Sequence, residues 1–294
     1  ITRAFIYEVN SPLAVKVGGV GRVQPNLDGK LLEIGNVYQM IARPGAGHIF
    51  GGWEGAAVSN KAVLNFTMQS NLVLTANFIL NPFPTVKGKY SGLIFDTNGV
   101  NPESSGLIKL NVTGQGKFSG KLTIAKKTLP LRGQFDYNGN LKFPVLRRPI
   151  QSVVLTLNLD LHGLNGINGE LTDGHWTSVV SAEHVTATTR SKFTAQELFA
   201  FDLMNGNQSF GNGVAQPGKA VRISAQFSIG PRVVKTFLPT DSGSIPVYLP
   251  SRNGNDVLLG WLEFTNSLAA PLVGDLILGT TNLPASVIAL VPSK

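Results

Sequence analysis

The chain has 294 residues, with 33 glycines, 17 prolines and no cysteine. So many helix and strand breakers exclude a long helical bundle, and the missing thiols exclude disulfide scaffolds, cysteine-ligated zinc and thiol catalysis. Hydrophobic residues at 43% and charged residues at 14% give a chain that folds, and the net charge of +8 is spread over pairs such as Lys126-Lys127 and Arg147-Arg148.

That diffuse cationic field suits anionic surfaces in general. A nucleic-acid reader carries a clustered basic face or an RNA-binding strand motif, so nucleic acid is not an expected partner. The longest apolar stretch, Leu268 to Leu278, contains Pro271 and Asp275 and is too short for a membrane-crossing helix. The start at Ile1, without Met or a signal-like apolar run, reads as a processed form or a piece of something longer.

Along the chain, period-two alternation dominates. Ile108, Leu110 and Val112 share one face, with Lys109, Asn111 and Thr113 on the other. Val153, Leu155, Leu157, Leu159 and Leu161 form a second apolar row, and Val221, Ile223, Ala225, Phe227 and Ile229 a third. Such rows predict antiparallel sheets with one face in a core. Asn-Gly and Asp-Gly steps between or near these runs, at Asp28, Asn98, Asn138, Asn165, Asn168, Asp173, Asn205, Asn212 and Asn253, predict tight hairpin turns. Thr194 to Met204 allows at most a short helical turn and is also readable as strand.

Asn81-Pro82-Phe83-Pro84-Thr85 predicts a stiff linker. The domains expected are residues 1–80, a linker at 81–87, and residues 88–294 made of halves at about 88–190 and 191–294. A weak repeat supports the halves: Ser105 to Phe143 lies beside Asn212 to Leu249, and both end in a proline-containing strand, Phe143-Pro144-Val145 against Ile245-Pro246-Val247.

Two resemblances follow from ordered landmarks. Gly18-Gly19-Val20-Gly21, Pro25-Asn26-Leu27-Asp28-Gly29, Pro44 to Gly55 with Phe50-Gly51-Gly52-Trp53, and Phe66-Thr67-Met68 through Thr75-Ala76-Asn77-Phe78 together resemble the divergent internalin-type B-repeat of bacterial surface proteins. That resemblance implies a small β-grasp-like or sandwich stalk module without enzymatic activity. Gly88-Lys89-Tyr90-Ser91-Gly92, Gly116-Lys117-Phe118-Ser119-Gly120, Gly169 to Trp176 and Leu258 to Phe264 are similar to uncharacterised β-rich repeat domains of very large secreted proteins from verrucomicrobial-type bacteria. This second family implies no transferable activity.

Candidate sites are sparse. Trp53, inside a Gly-rich landmark, reads as core. Trp176 and Trp261 are the candidate glycan platform, because alternation sets Trp261 on the face of Glu263, away from Leu262 and Phe264. Asp136-Tyr137-Asn138-Gly139-Asn140 opens like a calcium loop, but Leu141 at position 6 and Arg147 at position 12 break the signature and leave a turn. Asp173, His175, Glu183 and His184 make a metal cluster only if a hairpin separates the two histidines, since a continuous strand would hold them about 30 Å apart.

No nucleophile elbow, marked carboxylate pair or phosphate loop is present. No cofactor is expected. The sequence therefore predicts an all-β chain: a small β module, then a larger antiparallel β-barrel or sandwich from two degenerate halves. Its expected role is a non-enzymatic structural or adhesive module at the bacterial surface or outside the cell, with self-association through open sheet edges. The alternative is a carbohydrate-binding module of a larger secreted enzyme, with neutral or anionic glycans as partners.

Overall fold

The computed structural model describes residues 9–96, 98–145, 152–163, 166–186, 197–203, 209–215, 220–227, 230–264, 272–280 and 286–292. The chain divides into two units, Ile1–Pro82 and Phe83–Lys294. Both are built from strands, and the only helical element among the described residues is a 3-10 turn at Phe83–Thr85.

The first unit holds β1 (Asn10–Pro12), β2 (Ala14–Gly18), β3 (Gly21–Gln24), β4 (Leu31–Glu33), β5 (Val37–Pro44), β6 (His48–Gly55), β7 (Val63–Thr67) and β8 (Val73–Leu80). They form two three-stranded sheets, β2-β8-β6 and β3-β5-β7, and a separate short β1-β4 pair. Both sheets feed one core, with Val23, Met40 and Phe66 from one and Trp53, Leu74 and Phe78 from the other. A bulge between Phe50 and Gly52 shifts the register of β6 against β8. It turns Trp53 inward, where the residue is fully buried and its indole N–H donates to the Ala62 carbonyl at 3.3 Å. Trp53 is therefore a core residue.

The second unit begins with Phe83 and Val86, both buried. Eight strands follow: β9 (Gly88–Phe95), β10 (Gly106–Val112), β11 (Lys117–Ile124), β12 (Lys127–Gln134), β13 (Asn140–Val145), β14 (Val153–Leu159), β15 (Gly166–Thr172) and β16 (Thr177–Val185). Another eight complete the chain: β17 (Glu197–Leu203), β18 (Ser209–Ala215), β19 (Val221–Ala225), β20 (Val233–Phe237), β21 (Ser244–Pro250), β22 (Asp256–Phe264), β23 (Leu272–Thr280) and β24 (Ser286–Pro292).

The two sets have the same topology. The first sheet runs β12-β11-β10-β9-β16-β15-β14-β13 and the second β20-β19-β18-β17-β24-β23-β22-β21. In each, consecutive strands form an antiparallel meander, and the last strand returns to pair with the first. Each sheet is thus a nearly closed barrel with one seam, between β12 and β13 in the first and β20 and β21 in the second. Pro130, Pro144 and Pro246 lie on these seam strands, where a residue without an N–H costs no central ladder bond. Pro144 and Pro246 occupy the fifth strand of their respective sheets, the repeat visible in the sequence.

The predicted alternation holds through the first sheet, where Ile108, Leu110, Val112, Val153, Leu155, Leu157 and Leu159 are all buried. Val221, Ile223, Ala225 and Phe227 line the core of the second sheet with Ile245, Val247 and Leu258. Tight curvature needs glycine on the inner face: a Cβ at Gly92 would sit 2.0 Å from the Ser181 carbonyl oxygen.

This use of glycine corrects the turn reading. Asn168-Gly169 and Asn212-Gly213 are not turns but lie inside β15 and β18. At Gly169 the backbone of Thr156 approaches where a side chain would stand. Gly29, Gly99, Gly139, Gly174 and Gly254 do take positive φ. Asn165, Asn205-Gly206, Arg147-Arg148, Ile229 and residues 268–271 of the apolar stretch lie outside the described residues, while the rest of that stretch is in β23. The ambiguous segment at Thr194 resolves, where described, into strand β17.

Candidate functional site

The two barrel-like sheets meet through their outer faces. Leu93 and Val100 of the first form one buried cluster with Tyr248, Val257 and Leu259 of the second, and Phe95, Leu107, Trp261 and Ile277 pack around it. Burial raises the Tyr248 phenol to about 12. Trp261 is partly buried against this cluster, opposite Pro246 on β21 and Asp275 on β23.

Polar contacts flank the apolar patch. Lys126, in the β11–β12 turn, donates to the Arg252 and Asn253 carbonyls. On another side His184 Nδ1 stands 2.7 Å from Asp241 Oδ2, and the Thr186 N–H donates to Asp241 Oδ1 at 2.7 Å. Desolvation would raise the Asp241 carboxyl, but the bonds from His184 and Thr186 outweigh it and hold it below the usual carboxylate range. Glu183 accepts from the hydroxyls of Thr240 and Ser242, each at 2.5 Å.

The metal reading of the sequence separates in space. Asp173 and His175 occupy the β15–β16 turn, where the Asp173 carboxylate accepts from the N–H groups of His175 and Trp176. Glu183 and His184 lie at the far end of the continuous strand β16 and are engaged with the second sheet. His184 and Asp241 form an acid–base pair, yet the other ring nitrogen faces the Lys87 carbonyl at 3.3 Å rather than a hydroxyl nucleophile. Asp136 caps its own turn, accepting from the N–H groups of Asn138 and Asn140.

Between the sheets lies a groove of about 260 Å³. Lys89, Lys109 and Lys121 reach it from the outer face of the first sheet, while Val185, Leu238 and Pro246 supply apolar wall. Partial burial lowers the Lys109 ammonium. Lys235, whose Nζ lies 5.3 Å from the Tyr248 ring centre, is lowered by burial and then by the charge of Lys109. At the groove's edge the Tyr90 phenol is pushed to about 12 by burial and next by Asp160 and Asp241, and it donates to the Val86 carbonyl at 2.6 Å.

Sequence reading did not single out this groove. Alternation does put Lys109 and Lys121 on outer faces, and a hairpin at Gly114–Gly116 makes them neighbours. Nothing local, however, brings in Leu238 or Pro246. Trp176, the other candidate platform residue, is half-buried at the β15–β16 turn; its N–H donates to Asp173 and its carbonyl accepts from Thr172.

Residues 11–82 match the family described as the divergent InlB B-repeat domain, in agreement with the landmarks of the first unit. No curated protein matches the chain. Among solved structures, a provisionally assigned outer membrane protein of Bacteroides fragilis is 11% identical, with a TM-score of 0.24 over 73% of this chain and 100% of its own. The isotype 1 transferrin binding protein B of serogroup B Neisseria meningitidis is 10% identical, with a TM-score of 0.15 over 87% of this chain and 65% of its own. Likenesses at that level carry no weight for fold or role.

Proposed function

We propose that this chain is a non-enzymatic structural or adhesive part of a bacterial surface or secreted protein. The observation that carries the reading is the B-repeat match over residues 11–82. It is supported by the unit that follows, two topologically equivalent sheets packed outer face to outer face. The open seams offer edges through which copies associate by strand addition. Protease treatment of intact cells from the native source, followed by immunoblotting, tests the location: loss of the protein without lysis supports it, and full protection until lysis overturns it. Sedimentation of the purified chain tests assembly, with concentration-dependent oligomers expected and a monomer at all concentrations counting against self-association.

A carbohydrate-binding role is the second reading. It is favoured by the half-buried indole of Trp176 on a turn pinned by Asp173 and Thr172. A polysaccharide panel read by tryptophan fluorescence tests it. A shift that Trp176→Ala removes while circular dichroism is unchanged supports the role, and no shift across the panel sinks it.

A further inference from the structure

We propose that the groove between the two eight-stranded sheets binds a small organic anion with an apolar body, its head among Lys89, Lys109 and Lys121 and its body against Val185, Leu238 and Pro246. The inference goes beyond the surface-module reading and does not depend on it.

The first ground is charge placement. Lys109 on β10 and Lys121 on β11 are direct cross-strand partners, an arrangement that destabilises an antiparallel pair when the charges are alike. Lys89 lies one row away on the same outer face, opposite Asn111. Three lysines from neighbouring strands of the first sheet thus line one wall of the groove.

The second ground is the lack of a neutralising partner. Among the described residues no carboxylate lies within ion-pair distance of any of the three, and the single ion pair is His184 with Asp241. On the row Glu183, Ser91, Lys109, Lys121, the one carboxylate stands two strands from Lys109 and accepts from Thr240 and Ser242. A bound anion would relieve the repulsion that the fold itself leaves in place.

The third ground is shape. About 260 Å³ holds roughly nine waters' share of liquid volume, which suits one short ligand and not a polymer chain. Val185, Leu238 and Pro246 offer no hydrogen bonds to a ring of hydroxyls, while lysine stems extend the apolar wall beneath their charged tips. A single acidic head on a short hydrocarbon body matches both halves of that surface.

Isothermal titration of the full chain with octanoate is the test, with octanamide as the neutral analogue and glucuronate as the polar anion. The expected result is saturable binding of one octanoate per chain, at least tenfold tighter than either comparison compound. Lys109→Gln combined with Lys121→Gln should weaken octanoate at least tenfold without lowering the thermal midpoint, because two repelling charges are removed. Leu238→Ser, at an exposed position, should weaken octanoate several-fold with the fold intact. Absence of saturable octanoate binding, equal binding of octanamide, glucuronate binding as tightly as octanoate, or unchanged affinity in folded variants would each overturn the proposal.

Discussion

His184 Nδ1 and Asp241 Oδ2 are 2.7 Å apart although 57 residues separate them, and the contact ties the last strand of the first sheet to the segment that enters β21 of the second. Asp241 also receives the Thr186 N–H, so one carboxylate serves two donors at the end of β16, one in the strand and one just past it. Together with Glu183, Thr240 and Ser242 it forms a polar clasp beside the apolar cluster of Leu93 and Tyr248.

The clasp has a pH signature. Asp241 titrates below its ordinary value of 3.8 in the folded chain, so its contribution is fully present above that value and disappears as pH falls through the folded pKa. The side chains are 14% and 30% exposed, which limits the contribution to about 1 kcal/mol. Asp241→Asn should therefore lower the thermal midpoint at pH 7, and the gap between variant and parent should narrow progressively as pH falls below 3.8. A gap that stays constant as pH falls below 3.8 in thermal melts would show that the charge is not its source.

Curvature gives a second expectation. A Cβ at Gly92 would lie 2.0 Å from the Ser181 oxygen and 2.2 Å from the Ala182 Cα, both backbone atoms of the strand that closes the first sheet. Backbone cannot yield as a flexible side chain does, so Gly92→Ala should cost roughly 3 kcal/mol or more. Gly163, at φ +108° with open space around it, provides the contrast, and Gly163→Ala should cost only about 1–2 kcal/mol. Denaturant titration of both variants checks the order, and equal losses would refute the close-approach account.

How much of this could be read from the sequence depended on range. Alternation at Val153 to Leu159 and Val221 to Ala225 marked buried faces, because a period of two needs only the strand itself. The prolines of β13 and β21 exposed the duplication, since both must sit where a missing N–H is tolerated. The glycines at 169 and 213 misled, because the same residue type serves positive-φ turns and close backbone approach within a strand. The lysine groove escaped notice: Lys109 comes to share a groove with Leu238 and Pro246 only when two sheets dock, and no spacing records that.

Docking itself is open to test through Leu93. Its side chain is fully buried, and it sits on the outer face of its own sheet, where only the second sheet can cover it. Leu93→Ala should cost about 2–4 kcal/mol, with the loss falling on the contact between sheets. Calorimetry should then show the transition of the second unit broadening or splitting, while the interior of each sheet stays folded. A sharp, merely shifted transition would mean that the two sheets do not unfold separately once the contact is weakened.

Trp53 addresses the first unit in the same way. The residue is fully buried where two three-stranded sheets meet, with Phe50 at 5.8 Å between ring centres and Phe50 in turn 5.9 Å from Phe78. Trp53→Ala removes the largest side chain of that core at a cost of about 3–5 kcal/mol. A unit of this size has on the order of 4–11 kcal/mol in hand, so the variant should be marginal or unfolded up to Pro82. Phe83 and Val86 belong to the other core, so its melting should stay where it was. Calorimetry that shows one transition lost and one unchanged meets this expectation, and a concerted downward shift of both would contradict the independence of the two cores.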